Sequence, residues 1–156
     1  MNEYQGPATP RQALLIARII WAMLLLGQLV FAVVVLGLAL SRTEERATEL
    51  GALLLWVALG MLVLAVVAGY FIRNQTYKAH WREHSVAPQG YVTGNIILLA
   101  MLEATAFFSL IAVLATGVIF PMILPGAAAL VVQLINFPTG KAMQPTEPIF
   151  PARDPS

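Results

Sequence analysis

The sequence predicts an all-α protein, an integral membrane four-helix bundle with its N- and C-termini cytoplasmic. Two observations carry this expectation. Of 156 residues, 59% are in the hydrophobic set and only 11% are charged, against roughly 25% charged in a soluble domain, and mean hydropathy is positive. Four apolar stretches, 19–40, 50–72, 92–117 and 118–136, are each long enough to cross about 30 Å of hydrocarbon as a helix rising about 1.5 Å per residue. Residues 1–18 then form an N-terminal cytoplasmic segment and 137–156 a Pro-rich cytoplasmic tail.

The first stretch follows Arg18 without a basic head and exceeds the roughly 7–15 apolar residues of a signal-peptide core, so it reads as a retained helix. Orientation follows from the Lys and Arg near helix ends, which resist translocation. Arg11 and Arg18 against Glu3 give the N-terminal segment +1, and Arg42 and Arg46 against Glu44, Glu45 and Glu49 give the first loop −1. Arg73, Lys78 and Arg82 against Glu83 give the second loop +2. Both basic segments fall on one side of a four-span chain, which is therefore the cytoplasmic side. Tyr70, Tyr77, Trp81 and Tyr91 bracket the second loop, where amphipathic rings favour the headgroup region. Pro121 and Pro125 kink the fourth helix or delay its start. Beyond Asn136, Pro145, Pro148 and Pro151 recur every third residue, a spacing that suits an extended, disordered tail.

Helices in lipid associate through small residues that let backbones approach. Helix two carries Ala47, Gly51, Ala58, Ala65 and Gly69 on one stripe, and helix three carries Gly94, Thr105, Ser109, Ala112 and Thr116. These seams predict an antiparallel pairing of helices two and three.

Glu103 stands almost in the middle of IILLAMLEATAFFSLIAVLATG, away from the seam of its own helix. An ionised carboxylate at a helix centre costs about 2.5–3.5 kcal/mol on insertion scales. With Arg18, Arg42 and Arg73 all at span edges, Glu103 is expected to be protonated at rest or to meet a cation from another chain. Gln28 lies at similar depth in a helix of the same direction, and an amide can serve either form of a carboxyl group. Glu103 and Gln28 are thus the candidate ion-binding residues, with a purely structural clasp between helices as the alternative.

The core Ala100-Met101-Leu102-Glu103-Ala104-Thr105-Ala106, following the polar stretch APQGYVTGN, resembles the carboxylate-bearing helix of the proteolipid (c) subunits of rotary ATPases. That resemblance covers about one fifth of the chain and implies that Glu103 carries a proton or cation opposite a stator arginine. The chain differs from proteolipids in having only Gly51, Gly60 and Gly69 in the preceding helix. As a whole, with ARIIWAMLLLGQLVFAVVVL in helix one, it is similar to an uncharacterised group of small four-helix bacterial membrane proteins.

Other chemistry has little footing. No basic cluster suggests nucleic acid, cysteine is absent, and no phosphate loop, nucleophile elbow or dinucleotide fingerprint occurs. The chain is expected to be neither an enzyme nor a cofactor carrier. AHWREH places His80, Glu83 and His84 in a His-x-x-Glu-His pattern, a weak metal candidate because two histidines four apart on a helix can share a zinc ion. The expected partners are the lipid bilayer and either further copies of the chain or a larger membrane complex. The function expected is that of a proteolipid-like subunit of the bacterial inner membrane translocating protons or sodium, or else a non-catalytic accessory subunit.

Overall fold

The computed structural model describes residues 9–41, 48–82 and 84–145. The first-loop charges Arg42 to Arg46, the seam residue Ala47, Glu83, and the tail prolines Pro148 and Pro151 lie outside the described residues. Helix α1 spans Pro10–Leu40, α2 Thr48–Ala79, α3 Pro88–Thr116 and α4 Ile123–Ile135. A minimal hairpin of β1 (Trp81–Arg82) and β2 (Ser85–Val86) joins α2 to α3, and a 3-10 turn at Lys141–Met143 follows α4. The described chain is thus all-α apart from one antiparallel pair of two-residue strands.

Local chemistry explains where the helices start and stop. Thr9 caps α1 in a capping box with Gln12, each side chain accepting from the other's backbone N–H at 3.3 Å, and Pro10 occupies the first turn, where its missing N–H costs nothing. Pro88 opens α3 in the same way. Gly117, at φ 73°, closes α3 in the left-handed conformation that glycine adopts without a Cβ penalty. In the hairpin, His84 takes φ 71°, the positive value that a tight two-residue turn demands.

Helices α1, α2 and α3 are each long and apolar enough to cross a membrane. The fourth is not. Its 13 residues rise about 20 Å, shorter than the stretch 118–136 suggests, because residues 117–122 form no helix and Pro121 cannot donate a helical hydrogen bond. Helix α3 is the spine of the bundle: half of its apolar stretch is buried, against 11% for α1 and 17% for α2. It contributes to three core clusters stacked along its length. Ala13, Ala17, Val86, Tyr91 and Met143 pack at the hairpin end, Ala65, Leu98, Leu102 and Ala129 in the middle, and Val35, Leu110, Val113 and Met122 at the far end.

The contact between α2 and α3 runs antiparallel. A Cβ on Gly51 would lie 3.8 Å from Thr116, one on Gly69 2.8 Å from Leu98, and one on Gly94 2.7 Å from the Tyr77 ring. Gly51, Ala58, Ala65 and Gly69 on α2 are buried, as are Gly94, Thr105, Ala112 and Thr116 on α3. Ser109 is buried too but serves another contact. Its Oγ donates to the Met122 carbonyl and accepts from the Gly126 N–H at 3.1 Å, fastening α4 to α3.

Residues 137–145, expected as the start of a disordered tail, are packed against the bundle. Pro138 and Met143 are buried, the Pro138 carbonyl accepts from Arg18 Nε at 3.2 Å, and the Tyr91 hydroxyl accepts from the Gly140 N–H at 3.0 Å. Proline spacing alone missed this because the anchors are a carbonyl, an N–H and Met143, not the prolines' own periodicity.

Candidate functional site

Glu103 is the sixteenth residue of the 29 in α3. It stands one turn before Phe107, whose ring meets Phe31 of α1 edge-on at 5.1 Å. Helical register therefore puts its Cα level with Gly27 and on the α1 side of the spine. The side chain is partly exposed, and among the described residues it has no hydrogen bond or ion pair. Phe107 lines a shallow lateral groove of about 520 Å³ with Met23, Gly27, Phe31 and Val34. Glu103 does not itself line that groove, but its partial exposure keeps the carboxyl group out of the sealed core.

Gln28 is nearly at the same height but faces another neighbour. It is 1% exposed, and its Nε2 donates to Gln133 Oε1 of α4 at 2.7 Å. Gln133, itself fully buried, also accepts through its backbone carbonyl from Trp21 Nε1 at 2.9 Å. The structure thus brings together Gln28 and Gln133, not Gln28 and Glu103. Depth along the helices was readable, but rotation about α1 was not. The missed signal is that Gln133 is the one amide within the apolar run LVVQLI.

The amide pair is incompletely satisfied, since Gln28 Oε1 and Gln133 Nε2 are buried without partners. Removing one member leaves the other's bonding group orphaned, whereas removing both replaces a half-met pair with packing. Gln133→Leu is accordingly expected to lower stability by about 0.6–2 kcal/mol. The double variant Gln28→Leu, Gln133→Leu is expected to recover part of that loss, as thermal unfolding in detergent would show.

The metal candidate is not assembled as its spacing implies. Helix α2 ends at Ala79, and His84 sits in the hairpin turn beyond β1, so it and His80 do not share a helical face. His80 Nδ1 lies 2.9 Å from the Thr76 carbonyl, and Glu83 is outside the described residues.

A second polar assembly, absent from the reading of motifs, occupies the hairpin end. Arg73 Nη1 donates to Asn136 Oδ1 at 2.9 Å, and its guanidinium lies 4.6 Å from the Tyr70 ring centre. Asn136 Nδ2 donates to the Tyr70 hydroxyl at 2.5 Å and to the Val132 carbonyl at 2.8 Å. Asn95 Nδ2 donates to the Tyr77 hydroxyl at 2.7 Å. Tyr70 and Tyr77, expected as interfacial anchors, thus also hold the ends of α2, α3 and α4 together. Among the described residues, Arg11, Arg18, Arg73, Lys78, Arg82 and Lys141 lie toward this end, and no Asp or Glu does.

No family model matches the chain, and no curated protein or solved structure matches it either.

Proposed function

We propose that the protein is an integral subunit of the bacterial inner membrane in which Glu103 reversibly takes up a proton or sodium ion. The observation that carries this reading is a single one: a carboxyl group halfway along an apolar helix, partly exposed and without a partner among the described residues. A structural acid would be expected to have its hydrogen bonds met within the bundle, because an unmet polar group in hydrocarbon is costly. A carrier needs the opposite, an acid left available to a visiting ion or to a basic residue of a neighbouring subunit. The six described cations toward the hairpin end support a cytoplasmic position for that end.

Labelling by a hydrophobic carbodiimide, which attacks the protonated acid, tests the reading directly. Glu103 is expected to be modified selectively, more slowly as pH rises, and for a sodium site more slowly as sodium is added. Complete inertness across those conditions, measured by peptide mass spectrometry, would overturn it.

The second reading is an accessory subunit in which Glu103 is only a polar clasp. Within the chain the clasp is made by Gln28 and Gln133, so under this reading Glu103 would grip another chain. It predicts that Glu103→Gln preserves activity of the assembly, while bulky residues at Ala65 or Thr105 abolish folding.

A further inference from the structure

A recess of about 280 Å³ opens at the hairpin end between α2, α3 and the segment after α4, with Arg73, Tyr77, Asn95 and Lys141 in its lining. Three features of that lining point the same way. Arg73 Nε is buried and has no partner, and Asn136, met by Nη1, is the one acceptor the guanidinium has among the described residues, so several of its N–H groups remain unspent. The Tyr77 hydroxyl accepts from Asn95 and keeps its own proton for an acceptor. Lys141 adds a second positive charge and is exposed. Donors and cations converge there with no described carboxylate among them, which is the chemistry of a site for a phosphate group. The rim has a different character: Ile135 is 76% exposed and Phe137 42% exposed, and both line the recess. A polar, cationic pocket beside apolar side chains that keep an exposed face matches an amphiphile better than a free anion.

We infer that this recess binds the phosphate headgroup of an anionic phospholipid, with an acyl chain lying along Ile135 and Phe137. Arg73 and Lys141 hold the phosphate, and Tyr77 donates to one of its oxygens. This site is separate from Glu103 and stands whether or not an ion is carried there.

The test uses the full chain purified in neutral detergent, with native mass spectrometry counting retained phosphatidylglycerol and phosphatidylcholine. One phosphatidylglycerol is expected to be kept in preference to phosphatidylcholine. Lys141→Gln is expected to weaken that preference about fivefold, since a basic residue near an anionic headgroup contributes on that scale. Arg73→Gln is expected to weaken it further, and Lys141→Gln carries the test alone if Arg73→Gln unfolds. Lys78→Gln, which changes an exposed cation outside the recess lining, should leave the preference intact. Equal retention of both lipids, full preference in Lys141→Gln, or an equal loss in Lys78→Gln would each overturn the assignment. Displacement of phosphatidylglycerol by millimolar inorganic phosphate would assign the recess to the free anion and overturn the lipid.

Discussion

In vesicles containing the purified protein, Glu103→Gln is expected to reduce proton or sodium conduction to that of protein-free vesicles while leaving thermal stability nearly unchanged. The two halves of this result have one cause. Because Glu103 has no described bonding partner, replacing its carboxyl group with an amide of the same shape orphans nothing, so the fold has little to lose. The lost property is titration, which an amide cannot supply. A structural acid would give the reverse pattern, with stability falling and conduction unaffected. Conduction that persists in the variant, or that is absent from the wild type, would remove the carrier reading.

The largest effect on folding is expected at Gly126. A Cβ there would lie 2.9 Å from Ser109 Cβ and 3.3 Å from the Ala106 carbonyl oxygen. The second of these is backbone of the central helix and cannot rotate aside. Gly126→Leu must therefore push α4 off α3, weakening the two hydrogen bonds of Ser109 and disturbing the seat of Gln133. Overpacking of this kind costs about 1–3 kcal/mol. Adding the broken Ser109 contacts, the loss should fall at or above the top of that range, as denaturant or thermal unfolding in detergent would measure. Gly27→Leu is the matching control, since a Cβ there meets nothing within 4 Å. Equal stability of the two variants would mean that α4 is not held through this contact.

These two positions also mark what the sequence made legible. The three long helices follow from apolar length alone, because a run with few charges has no competing structure once it exceeds about 18 residues. The small residues of α2 and α3 could be read as a seam because their spacing repeats on one face. Gly126 and Ser109 could not be paired in advance: Ser109 fits the α3 stripe by spacing, yet its hydroxyl turns to α4, which no periodicity encodes. Gln28 shows the same limit. A helix of known depth still has a free rotation, and only packing decided that its amide meets Gln133 and not Glu103. Residues 137–145 were hardest to foresee, since their order depends on bonds to Arg18 and Tyr91, more than 45 positions away in the chain.

That returning segment has a practical consequence. An affinity handle or fluorescent fusion inserted directly after Ile135 would strip Arg18 and Tyr91 of their acceptor and donor and uncover Ala13 and Ala17. Placed after Pro145 instead, it would spare every one of those attachments, so expression trials that compare the two junctions read out how firmly the strap binds.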